Sequence, residues 1–195
     1  MINVGFDGPP GALVETVANI VWSTYVTREK KVCLIKPLKT VPGRFQDGLA
    51  HLLALLSEAR LHRLCAPKPL DVEIVIHSPF SLSRIAAMAA AYGQSSIVTK
   101  SLISKVVDCP RADILFSCQC SSDAAVRRAV EPEEFVRKMC CEHACMSDPE
   151  TDVSSDWMTK RLVVLDTEGG PKEAAEKAGG IIDRQLKGGT DDGTE

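Results

Sequence analysis

The residues best placed to do chemistry lie near the start of the chain, in Ile2 to Thr16, INVGFDGPPGALVET. A short apolar run leads into a turn holding Gly8 and Gly11, and a helical pattern follows. In that layout, backbone N–H groups and a helix N-terminus can meet a phosphate. A loop of the form G-x-x-x-x-G-K-S/T adds a second glycine for close approach, a lysine for the β- and γ-phosphates and a hydroxyl for Mg²⁺. Counted from Gly8, those three positions hold Leu13, Val14 and Glu15. The frame is present, but the cation and the hydroxyl are not. A carboxylate at Glu15 would repel a nucleotide's phosphates.

Two other constellations invite a chemical reading. Cys140, Cys141, His143 and Cys145 lie within six residues. On one helix Cys141 and Cys145 share a face, as do Cys140 and His143. Four ligands from one helical segment cannot close a tetrahedron, and the spacing lacks the paired C-x₂-C hooks of zinc modules, so no metal is expected there. His77 beside Ser78 suggests a base and a nucleophile. Neighbours on a strand point to opposite faces, however, and no nucleophile-elbow glycine pattern surrounds Ser78, so the pair reads as a strand end. The acidic run Glu131 to Glu134 suits the start of a helix.

The elements that must position these residues can be read from periodicity and turn signals. Strands are expected at Ile2–Phe6, Lys31–Ile35, Val72–Ile76, Ala112–Cys120 and Arg161–Asp166. Helices are expected at Ala12–Val26, Gly48–Leu64, Leu82–Tyr92, Ile97–Val107, Ser122–Val130, Glu133–Met146 and Pro171–Leu186. Pro37 to Gly43 reads as a loop, Ser121, Ser122 or Asp123 can cap the helix that follows, and Pro171 suits a first turn. Strands alternate with helices, and the strands are continuous apolar runs. That pattern argues a parallel sheet covered on both faces, with ligands beyond the carboxyl ends of the strands.

The chain has 195 residues, enough for one well-buried domain over 1–186, with a polar, glycine-rich tail at 187–195 expected to be disordered. A net charge of −3 points to neither nucleic acid nor a membrane surface. No apolar run is long enough to span a bilayer and no secretion signal is seen, so a cytoplasmic setting is expected. The 8 cysteines are accordingly read as reduced thiols, mostly small buried hydrophobes.

In order and nearly in register, the chain resembles the thymidylate kinases of the eukaryotic style. The family opens F-E-G-x-D-G-x-G-K-S/T-T, and Phe6 to Thr16 aligns with that without a gap. The loop Lys36 to Gly43 resembles the family's arginine-, proline- and threonine-bearing loop, and Leu56-Ser57-Glu58-Ala59-Arg60 its F-S/A-A-N/D-R. Ser78-Pro79-Phe80 followed by Ser83 stands where the family has D-R-Y and a serine. Ala112-Asp113-Ile114-Leu115, Arg127-Arg128, Val163 to Thr167 and Pro171 to Ala175 match the later strands and helices.

The resemblance implies a three-layer α/β fold with a five-stranded parallel sheet, and a homodimer. It implies nucleotide-binding remnants at Gly8, Gly11, Thr16, Lys39, Arg60, Ser83, Arg127 and Arg128. The departures fall on the chemistry: Val14 for the lysine, Glu15 for the Mg²⁺ hydroxyl, Ser78 and Pro79 for D-R, and Leu56 for the aromatic that stacks on thymine. The arginine-bearing lid is replaced by the short, acidic Ala129 to Glu134. Phosphoryl transfer is mostly positioning and charge stabilisation, so the expectation is a catalytically inactive relative acting as a scaffold or binding partner, with no cofactor. The alternatives are a working or weak kinase using ATP and Mg²⁺ on dTMP, and a module that binds a nucleotide or anion at Arg60 without turnover. A dimer is also suggested by Leu52–Leu64 and Leu82–Tyr92, which are richer in apolar residues than one buried face requires.

Overall fold

The computed structural model describes residues 1–36, 72–92, 111–148 and 159–188. The expected helices at 48–64 and 97–107 and the loop at 37–43, with Lys39, Leu56 and Arg60, lie outside the described residues. Within them the order is β1 (Ile2–Asp7), α1 (Val14–Thr27), β2 (Val32–Ile35), β3 (Ile74–His77), α2 (Ser81–Tyr92), β4 (Ile114–Gln119), α3 (Ser122–Arg128), α4 (Glu133–Met146), β5 (Leu162–Asp166) and α5 (Pro171–Leu186). The five strands form one parallel sheet in the order β2-β3-β1-β4-β5. The α/β class with flanking helices is therefore as the alternation implied.

Side chains alternate across the strands and separate two cores. Val4 and Phe6 of β1 and Ile114, Phe116 and Cys118 of β4 join α1 and α5 on one face. Phe6 and Phe116 stack there with ring centroids 5.0 Å apart. On the other face Leu115 packs with Leu82, Ile85, Met88, Phe135 and Met139 of α2 and α4. The residues of α2 from Ile85 to Ala90 are all buried within the single chain.

Several boundaries differ from expectation. α1 begins at Val14, not Ala12, because Leu13 takes a left-handed conformation (φ 58°). β3 starts at Ile74, two residues later than expected, and ends at His77, one residue later, since its pairing with β1 runs from Ile2 opposite Ile74 to Gly5 opposite His77. α3 stops at Arg128, not Val130, because Ala129 turns extended ahead of Pro132. The Ser121 cap is as expected, its Oγ accepting the N–H of Ala124 at 3.2 Å. Among the described cysteines, Cys118 and Cys140 are buried and Cys33 and Cys120 half-buried, while Cys141 and Cys145 are exposed because α4 turns them away from Cys140; Cys65 and Cys109 lie outside the described residues.

Candidate functional site

The connection from β1 leads to β2 at one edge, while that from β4 leads to β5 at the other. The carboxyl ends of β1 and β4 therefore flank the switch point where parallel sheets of this type take ligands. The loop Gly8 to Leu13 sits there. Its glycines are required by close approach. A Cβ on Gly8 would lie 2.5 Å from the Cys118 carbonyl oxygen, and one on Gly11 (φ +81°) would collide with the Ala125 backbone. The left-handed Leu13 stands where a phosphate loop has glycine, so the backbone path is kept at the cost of a strained leucine.

What the loop offers an anion is limited. α1 has no side-chain cap, so the first-turn N–H groups of Val14, Glu15 and Thr16 have no intrahelical acceptor and face outward from the N-terminus. Pro9 and Pro10, by contrast, contribute no N–H, and Ala12 N–H is spent on the Pro9 carbonyl at 3.1 Å. Val14 is buried at the edge of the core, its side chain packed against Gly8 of the loop. Glu15 and Thr16 are exposed, with Glu15 in the first turn beside the helix's positive end.

Sequence reasoning passed over the acid at the centre of this arrangement. Asp7 is fully buried at the end of β1. Its carboxylate accepts N–H groups from Gly8 at 2.9 Å, Leu82 at 2.6 Å and Ser83 at 3.0 Å. It thus ties the glycine loop to the N-terminus of α2. Burial outweighs these bonds and pushes its carboxyl up to about 7. The available signal was a charged residue closing an otherwise apolar strand directly before a glycine. Ser83 contributes as a backbone donor, while its hydroxyl donates to the Phe80 carbonyl at 3.4 Å.

The remaining expected residues are spread. Ser78 is buried, its Oγ without a hydrogen-bond partner, and Pro79 follows through a cis peptide bond. Arg127 is exposed. Arg128 donates to the carbonyls of Thr167 at 3.2 Å and Glu168 at 2.9 Å, so its guanidinium braces the turn after β5. Glu168 in return accepts from Ser121 N–H and Oγ at 2.7 and 2.9 Å. His77 is buried edge-on to Phe80 at 5.9 Å, within the strand rather than beyond it.

A second buried polar group lies on the α2–α4 face. Ser117 Oγ contacts Ser147 Oγ at 2.8 Å and accepts from Gln119 Nε2 at 3.1 Å. His143 Nδ1 lies 3.5 and 3.4 Å from the two serines, while its Nε2 has no partner. Burial pulls this imidazole down to about 4, so it is neutral near pH 7. The cysteine–histidine run is therefore split: His143 and Cys140 face inward, Cys141 and Cys145 outward. Among the described residues no group of three or more His, Cys, Asp or Glu side chains could hold a metal ion.

Neither a scan of family models nor a search of curated proteins returns a match. Among solved structures the chain is similar to thymidylate kinase from Candida albicans, at 16% identity and a TM-score of 0.69, covering 94% of this chain and 92% of that one. It is also similar to deoxyadenosine kinase from M. mycoides, solved with bound dATP, at 13% identity and a TM-score of 0.64, covering 95% and 100%. At these identities the likeness shows the fold: that of P-loop thymidylate and deoxynucleoside kinases. No helix among the described residues is long and apolar enough to cross a membrane.

Proposed function

We propose that this chain is a thymidylate-kinase-like protein that does not transfer phosphoryl groups and serves as a scaffold or binding partner. One observation carries the reading: the position that must present a lysine to the phosphates holds Val14, and that side chain is buried in the core behind the loop. Phosphoryl transfer depends on cations held at the transferring group, and losing a single stabilising donor commonly costs about two to three orders of magnitude in rate. Here the loop also lacks two N–H donors at Pro9 and Pro10, and Glu15 adds negative charge. Arg128 is held on its own chain's carbonyls.

A second reading, nucleotide binding without turnover, is favoured by the uncapped N-terminus of α1 and the unbonded hydroxyl of buried Ser78. Both structural neighbours are named as kinases, one with dATP bound, which makes a deoxynucleotide the ligand to try. The homodimer remains part of the proposal and rests on the apolar richness of 52–64 and 82–92 in the sequence. Calorimetric titration with Mg-ATP, dTMP and dATP, together with a turnover assay, tests the reading. Absence of turnover is the expected result. Binding without turnover selects the second reading, and turnover of dTMP to dTDP overturns both. A monomeric mass in solution would refute the dimer.

A further inference from the structure

Cys120 and Cys140 come together from different elements. Cys120 follows β4 and is half-buried, while Cys140 lies on the inner face of α4. Cys140 forms a cluster with Ala125 and Val136, and Cys120 packs against that cluster. The Cys120 thiol also points at the Gly11 carbonyl oxygen, 3.9 Å away. The Arg128 guanidinium and the Thr167 hydroxyl lie beside it, and Cys140 lies against the Ser122 hydroxyl and Cys120. Burial holds both thiols above their ordinary value, while Arg128 works against burial at Cys120. Cys120 is the partly accessible thiol and Cys140 the buried one packed in the same cluster, so a peroxide reaches Cys120 first and Cys140 is placed to resolve it. Cys141 and Cys145 form no such pair: four residues apart on one helix, their Cβ atoms stand about 5–6 Å apart, beyond the span of a disulfide.

We propose that Cys120 and Cys140 form a reversible disulfide on exposure to a peroxide, and that this bridge loosens the glycine loop. The Cys120 thiolate attacks one peroxide oxygen and the O–O bond breaks. Cys120 becomes a sulfenic acid, and the departing hydroxide takes a proton to become water. The Cys140 thiolate then attacks the Cys120 sulfur, the S–O bond breaks, the S–S bond forms, and a second water leaves. Two thiols are oxidised by two electrons and one peroxide is reduced to two waters. The bridged Cys120 has no S–H to offer Gly11. The bridge needs no nucleotide in the loop, so its outcome is separate from the ligand readings above.

The test uses the full chain, reduced, desalted and treated with hydrogen peroxide, with remaining thiols alkylated and the peptides mapped by mass spectrometry. The expected product joins the Cys120 and Cys140 peptides, is two hydrogens lighter than the reduced pair and reverts with dithiothreitol. It disappears in Cys120→Ser and in Cys140→Ser, and persists in the double variant Cys141→Ser, Cys145→Ser. Amide exchange across 8–14 should be faster in the oxidised form. A wild-type map with no Cys120–Cys140 link, or with Cys140 joined elsewhere, overturns the bridge without reliance on any variant folding. A bridge with unchanged exchange overturns the effect on the loop.

Discussion

Asp7→Asn should expose a pH dependence that the wild-type protein conceals. Burial raises the Asp7 carboxyl from 3.8 to about 7 in the folded chain. Its stabilising contribution is therefore fully present below 3.8 and is lost as pH rises toward 7, because the folded state holds a proton that the unfolded state has released. Burial lowers His143 from 6.5 to about 4, so its contribution is present above 6.5 and is lost as pH falls through 4. Between pH 5 and 6.5 the two slopes are opposite, each on the order of 1.4 kcal/mol per pH unit, and they cancel. Removing the Asp7 titration leaves the His143 slope alone. Urea unfolding of Asp7→Asn should then lose on the order of 2 kcal/mol from pH 6.5 to 5 while wild type stays level. At any one pH the variant is also offset by about 1–3 kcal/mol, since an amide cannot accept all three N–H groups that Asp7 accepts. The slope, not the offset, is the readout. Parallel curves for variant and wild type would refute the reasoning, showing that the three N–H bonds keep Asp7 ionised in the folded state. The mirror variant His143→Asn should grow more stable toward pH 5, and it provides the same readout should Asp7→Asn fail to fold.

Leu13→Gly should stabilise the protein by about 1 kcal/mol, since a left-handed leucine costs about 1–2 kcal/mol and part of that gain is offset by lost side-chain contact. That corresponds to a rise in Tm of about 2–4 °C by calorimetry, and a fall in Tm would show that the leucine's packing outweighs its strain. Phe116→Ala, which removes a fully buried ring stacked on Phe6, should cost about 3–5 kcal/mol in urea unfolding. A loss below about 1 kcal/mol would mean that the α1–α5 core collapses onto the cavity.

The alternation of apolar strands and amphipathic helices, the glycine turn after β1, the Ser121 cap and the first-turn Pro171 were legible because each is a local signal, read within one element or its flanks. They were enough for a parallel sheet with helices on both faces and for the place of the loop within it. The sequence also determined the absence of a lysine at Val14 and the presence of Glu15. What it could not decide was where those side chains go. Val14 is buried in a core that gathers β1, α1, β3, β4, β5 and α5 from along the whole chain. Asp7 matters because α2 brings the N–H groups of Leu82 and Ser83 to it across some 75 positions of sequence. The four residues of the Cys140–Cys145 run that tempted a metal reading divide because α4 docks one face on α2 and α3 and leaves the other to solvent. Burial, hydrogen bonding and pKa are properties of converging segments, and convergence is set by packing two cores against one sheet, which no local window of residues records.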